Sequence, residues 1–334
     1  MNRLSKCLFI AAASVASTGV AFADDPPADP AAEPPPDGGG ADAGATVDAG
    51  ATVGTDGAAV DANAAAAGGV FTADTWPKDY VNRPQVIYKG GVEVSPRLDI
   101  IYVAGDDAAM VDSSTVTALN VGGRYGITDT VEALASFNRI LLTGVDGIET
   151  GDRVKGVLTA GVGIGVLKGK FDVEVKAAIQ YDLGGLGITP PMFLLAGADV
   201  RYHLSDKMWI GTPINQPGIV FGVTNAKFGD MEIPDSKPFL INIPVAFAFQ
   251  ATPELAIQAN TDLLQLRLND AAKGGPDGDA LTFIGTDEGG GLPLDIDFIY
   301  ALSNKMDVQA KLDLGDLKNA GDAFGLTAGV NIRL

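Results

Sequence analysis

From residue 91 to the end, apolar side chains alternate with polar or small ones, in runs of the ~10-residue length expected of strands that cross a bilayer. The last run shows the pattern. Phe324, Leu326, Ala328, Val330, Ile332 and Leu334 share one parity, and Gly325, Thr327, Gly329, Asn331 and Arg333 the other. A period of two describes a strand with one oily face and one wet face. The pattern predicts twelve strands, at 91–104, 115–127, 130–142, 154–167, 170–183, 192–204, 207–212, 238–250, 254–266, 292–302, 305–314 and 323–334. Five connections are very short: Thr128-Asp129, Lys168-Gly169, Ser205-Asp206, Ala251-Thr252-Pro253 and Ser303-Asn304. The alternate connections, at 105–114, 143–153, 184–191, 213–237, 267–291 and 315–322, are longer and rich in Gly and Asp.

These features predict an all-β fold: a transmembrane antiparallel up-and-down β-barrel over 91–334. Closure leaves no unpaired edge in lipid, which is why barrels are the β-structures that cross membranes. Short turns belong on the periplasmic side, and an even strand count returns both termini there. One stretch leaves the count open. Ser95-Pro96-Arg97 resembles a turn, and read as one it raises the number to 14, with further strands at 70–84 and 85–94. Val92, Val94, Leu98 and Ile100 keep one parity through Pro96, so a single strand is preferred, at the cost of a proline within it.

Aromatic residues extend the pattern. Tyr125, Phe171, Tyr202, Phe249 and Tyr300 lie near short turns, and Tyr102, Tyr181, Phe239 and Phe324 near long loops, all with outward parity. Two such belts match the interfacial girdles of membrane barrels.

The N-terminal part reads differently. Residues 1–23 look like a secretory signal, with Arg3 and Lys6, an apolar stretch from Leu8 to Val20, and Ala21-Phe22-Ala23 as the cleavage site, cut after Ala23. Cys7, the only cysteine, lies within it, and Lys6 before it argues against lipidation. A mature chain without cysteine has no disulfide and no thiol chemistry. Residues 24–69 carry nine acids, no base and almost no large apolar side chain, so a disordered acidic spacer is expected. In residues 70–90, Trp76-Pro77 and Arg83-Pro84 disfavour helix and predict an extended lead-in to the first strand. The formal net charge of −19 rules out a basic nucleic-acid footprint.

The barrel pattern, the signal and the ending Ala328-Gly329-Val330-Asn331-Ile332-Arg333-Leu334 together resemble Gram-negative outer-membrane β-barrel proteins of the porin-like, small-channel class. That class prefers a terminal aromatic, and Leu334 departs from it. The resemblance implies a bacterial outer membrane, contact with its lipid, and insertion by the barrel-assembly machinery through the C-terminal strand.

Inward parity collects the candidate pore-lining residues. They are Asp172, Glu174, Lys176 and Asp182 on one strand, Asp199 and Arg201 on another, Asp295 and Asp297 on a third, and Asp307, Lys311 and Asp313 on a fourth. Acids outnumber bases, and charges at membrane depth persist where they pair or meet water. The expected function is a passive channel for small hydrophilic solutes or ions, weakly cation-preferring. The alternative is a non-conducting structural or surface-interaction barrel, with loops 213–237 and 267–291 binding. A lumen closed by salt bridges is the competing expectation for the interior.

Enzyme chemistry finds little support. The single histidine, His203, points inward near the periplasmic rim, and a local cluster with Asp199 and Arg201 is its expected role. Gly161-Val162-Gly163-Ile164-Gly165 lacks the spacing and following helix of a dinucleotide fingerprint, and reads better as small residues leaving room in the lumen. The run Gly274–Asp279 does not match the twelve-residue calcium loop. No cofactor or metal is expected.

Overall fold

The computed structural model describes residues 71–104, 113–143, 156–183, 188–213, 218–228, 230–273, 281–283, 293–315 and 323–334. The predicted signal, the acidic spacer, the Gly274–Asp279 run and parts of the long connections lie outside the described residues.

Alternation becomes ladder along the whole barrel region. The strands are β1 Val92–Val103, β2 Ser114–Gly126, β3 Val131–Thr143, β4 Val157–Leu167, β5 Phe171–Asp182 and β6 Phe193–Ser205. Strand β7 comes in two pieces, Met208–Gly211 and Ile219–Gly222. Then follow β8 Phe239–Gln250, β9 Leu255–Arg267, β10 Leu294–Ser303, β11 Met306–Leu314 and β12 Ala323–Arg333. Each pairs antiparallel with its neighbours in sequence, and β12 pairs β1 from Glu93↔Arg333 to Val103↔Ala323. The result is a closed barrel of twelve strands, with one short extra strand in its sheet and, among the described residues, a separate small sheet of Ile188–Thr189, Lys227–Phe228 and Met231–Glu232.

β1 runs unbroken through Pro96, which faces Val121 of β2. The ladder to β12 passes from Val94↔Ile332 to Arg97↔Gly329 without a register shift, stepping over Ser95 and Pro96. A proline nitrogen has no hydrogen to give, so the seam loses a rung there and keeps its register.

Two departures from the sequence reading concern the outer rim. The 213–237 connection contains strand as well as loop. The outer parts of β6 and β8 extend beyond Gly211, and Ile219–Gly222 fills the space by pairing with both. The 267–291 connection contains a helical turn, Asp270–Lys273, and a strand, Leu281–Phe283. β10 starts only at Leu294, and Leu281–Phe283 pairs instead with Leu264–Leu266 of β9. In both places, backbone groups that would otherwise lie open find partners, which is the demand a membrane makes of any strand. Three or four residues are too few for a period to show in sequence.

The outside is oily, as a lipid-facing wall must be. Leu98, Ile100, Val162, Ile164, Val175, Ile179, Phe247, Phe298, Val308 and Leu326 are all exposed. Tyr125, Phe171, Phe249, Tyr300 and Tyr181 are exposed at the strand ends. Ring pairs join neighbouring strands at both levels, Phe171 with Tyr202 at 4.7 Å and Tyr102 with Phe324 at 5.2 Å.

Candidate functional site

The lumen has two storeys. The one beside the short turns is filled. Its occupant comes from the segment before β1, where the sequence predicts an extended lead-in over 70–90; the buried part runs from Trp76 to Tyr88. It contributes no strand. A short 3-10 turn, Tyr80–Asn82, lies between Pro77 and Pro84, with the Asp79 carboxylate accepting from the Val81 N–H at 3.1 Å. Burial pushes the Asp79 carboxyl above the ordinary aspartate range, against the lowering effect of its hydrogen bonds to Asn82 and Val81. Trp76, Tyr80, Val81, Arg83, Val86 and Ile87 are all buried.

The wall is shaped to take this segment. On one side, inward positions of β8 and β9 are alanines: Ala246, Ala248 and Ala256. With Trp209 of β7 and Ile299 of β10 they form an apolar niche around Tyr80 and Val81. Tyr80 also donates its hydroxyl hydrogen to Gln258 Oε1 at 2.8 Å, and the Val81 N–H donates to Gln250 Oε1 at 3.1 Å. Gly165 on β4 keeps the wall low opposite Val86, whose Cγ2 would stand 3.2 Å from a Cβ at that position.

On the other side, the wall is charged. Arg83 grips Asp307 of β11 with both terminal nitrogens, each at 2.6 Å. Asp307 also accepts from Arg333 of β12 at 2.5 Å, and Arg333 reaches Glu93 of β1 at 2.5 Å. Glu93 pairs with Arg124 of β2 at 3.2 Å, and Arg124 with Glu132 of β3 at 3.4 Å. Charges therefore alternate over five consecutive strands, and each of these side chains is almost completely sealed from water. On β5, Lys176 bridges Glu174 at 3.2 Å and Asp199 of β6 at 2.7 Å. Gly163 on β4 is the gap into which Glu174 fits; a Cβ there would collide with its carboxylate. Buried charges are tolerated when paired, and each charge of this girdle has an opposite charge within 3.4 Å.

His203 is half of a pair. Its Nε2 lies 3.0 Å from Asp172 Oδ2, and Asp172 also accepts from the Gly169 N–H at 2.7 Å. The expected cluster of His203 with Asp199 and Arg201 is not what forms. Asp199 turns to Lys176, and the Arg201 guanidinium lies over the Trp209 ring at 5.1 Å. One face of one strand brings residues to the same side, but cross-strand neighbours at closer range take the hydrogen bonds.

The outer storey is wetter. Lys311 of β11 pairs with Asp295 of β10 at 2.8 Å and lies 3.9 Å from Asp313. These side chains keep 19%, 16% and 33% of their surface exposed, against 0% for Asp307 and Arg333 below. Asp297 accepts from Asn260 Nδ2 at 2.7 Å. Asp182 lies at the outer end of β5 and is partly exposed. The eleven predicted lining residues thus fall into two sets. Asp172, Glu174, Lys176, Asp199, Arg201 and Asp307 sit in the filled storey, and Asp182, Asp295, Asp297, Lys311 and Asp313 in the outer one. Parity gives direction across the wall and carries no information on depth, so the sequence pooled them.

This chain resembles outer-membrane porins and channels of known structure. The NanC porin matches with a TM-score of 0.44 and 11% identity, over 72% of this chain and 100% of its own. The KdgM porin matches with 0.40 and 6%, over 71% and 98%. The COG4313 outer membrane channel from Pseudomonas putida F1 matches with 0.44 and 14%, over 75% and 97%. At these identities and scores the likeness is one of general barrel shape. No protein-family model matches the sequence, and no curated protein does.

Proposed function

We propose that this protein is a passive channel of the bacterial outer membrane for small hydrophilic solutes, with a preference for cations set in its outer storey. The observation that carries this reading is the partly exposed, acid-rich lining there. Asp295 and Asp313 share the single amine of Lys311, and Asp297 beside them accepts from the neutral Asn260 amide, so acids exceed bases in this partly exposed cluster. A low-dielectric wall focuses the field of fixed charges into the aqueous path, attracting cations and repelling anions. The sealed acids of the lower storey are neutralised by their partners and contribute little to selection. The filter is thereby narrowed from the eleven inward residues of the sequence to the outer five.

A second reading rests on a specific observation. The segment 71–91 and the charged girdle occupy the lower storey, which is what a non-conducting structural or surface-interaction barrel requires. Reversal potential across a salt gradient in a planar bilayer separates the two. For a cation-preferring channel, Asp295→Asn with Asp297→Asn shifts it toward anions, more at low ionic strength than at high, because salt shortens the reach of each charge. Absence of conductance from correctly folded protein under all conditions favours the structural barrel. Conductance without charge preference keeps the channel and removes these aspartates as its filter.

A further inference from the structure

We propose that residues 76–88 form a releasable plug that closes the periplasmic mouth of this barrel, with the Arg83–Asp307 pair as its latch. The proposal rests on the channel reading for its purpose, but on independent geometry for its existence.

Three observations carry it. First, the segment lies inside the wall without belonging to it. No rung of the ladder from β1 to β12 and back uses any of its residues, since β1 begins at Val92 and pairs directly with β12. Its leaving therefore breaks side-chain contacts and isolated backbone bonds and leaves the membrane-spanning hydrogen-bond network whole.

Second, the segment spans the bore. It reaches Gln250 and Gln258 on one side, and Asp307 and Glu132 on the other, the last through the Ile87 N–H at 2.9 Å. Where it touches the wall at Tyr80, Val81 and Val86, the wall carries small residues: Ala246, Ala248, Ala256 and Gly165. Stripped of the segment, the alanine niche would stand empty, in a twelve-stranded barrel whose bore exceeds what a narrower barrel's side chains fill.

Third, the two faces of the segment differ in kind. Tyr80 and Val81 rest in the alanine niche, an apolar contact supplemented by two uncharged hydrogen bonds, to Gln258 and Gln250. Arg83 makes the bidentate, directional bond to a carboxylate, the kind of contact that fixes register. Asp307 is already served by Arg333, so Arg83 can withdraw without leaving the wall carboxylate unpaired. Its departure removes a positive charge from the mouth, so opening should also increase cation preference.

The test compares the full chain with a variant in which residues 76–88 are replaced by a Gly/Ser linker of equal length, both carrying Cys7→Ser. Planar-bilayer conductance of the folded variant is expected to rise several-fold over that of the full chain, with reversal potential moved toward cations. Arg83→Gln should lie between them, with more frequent openings. Ala248→Cys, beneath the plug, supplies a readout independent of conduction: a membrane-impermeant thiol reagent added from the periplasmic side should label it in the linker variant and not in the full chain. Equal labelling in both, or equal conductance of folded full chain and variant, overturns the plug. Opened labelling with no current from either protein supports the plug and sinks the channel.

Discussion

The charged girdle makes a quantitative prediction that divides structural acids from functional ones. Glu93 stands between two arginines, Arg124 at 3.2 Å and Arg333 at 2.5 Å, with all three side chains essentially sealed. Glu93→Gln keeps the shape and removes the charge. Arg124 and Arg333 each lose a buried counter-charge, which suggests a loss of about 3–5 kcal/mol, the range seen when one member of a buried ion pair is removed. Asp295→Asn breaks a pair of similar length, 2.8 Å to Lys311, but both partners touch water and Asp313 stands by as a second acceptor. Its cost should be about 1 kcal/mol or less. Guanidinium unfolding of the protein refolded in lipid vesicles measures both, followed by the fluorescence of Trp76 and Trp209, the chain's only tryptophans. Both are buried in the filled storey, so the signal reports on that region directly. Equal losses for the two variants, or a Glu93→Gln loss below that of Asp295→Asn, would refute the division of the lumen into a load-carrying lower storey and a wet upper one.

Other outcomes follow from the same geometry. Gly163→Val should drive the Glu174 carboxylate off its seat and unlink it from Lys176, lowering the yield of folded barrel on heat-modifiable electrophoresis, whereas Val162→Ala on the lipid face should leave the yield unchanged. Leu326→Arg, midway along β12 and facing lipid, should cost about 2–4 kcal/mol, while Leu334→Asp at the strand end should cost at most ~1 kcal/mol, because the penalty for charge falls toward the interface; equal costs would mean that β12 does not cross at the assumed depth. Met231→Cys in the long 223–238 connection should label with an impermeant reagent on intact cells, and Ser205→Cys in a short turn only after permeabilisation; the reverse would invert the topology.

The wall was legible because its period is local. Each strand announces itself through residues two apart, and the observed ends fall within a few residues of the expected ones, as for Phe239–Gln250 against 238–250. The exceptions, Ile219–Gly222 and Leu281–Phe283, are short pieces whose pairing is decided by how far neighbouring strands extend. The occupant of the lumen was not legible. Trp76, Tyr80, Val81 and Ile87 follow no period, since they divide between two separate clusters, Tyr80 and Val81 against β7 to β10 and Trp76 and Ile87 with Tyr88. Two signals were present nonetheless: large apolar side chains directly after a spacer almost devoid of them, and small inward residues, Ala246, Ala248 and Ala256, clustered on two adjacent strands. Among the lining residues, Asp172 and Asp295 carry the same inward parity, and only the position of the plug separates them.

The seam between β12 and β1 ties the interior to the order of assembly. Tyr88 donates its hydroxyl hydrogen to the carbonyl of Leu334 at 2.8 Å, and Leu334 in turn exchanges backbone bonds with Val92. Arg83 rests on an aspartate whose other partner, Arg333, is the last residue of β12. These seats come together only when the last strand meets the first. A chain emerging N-terminus first therefore carries its filling ahead of the vessel, and the filling has nowhere to settle until the vessel is shut. Seating of residues 76–88 should then be the last step of folding, and a buried Trp76 the sign of a finished barrel.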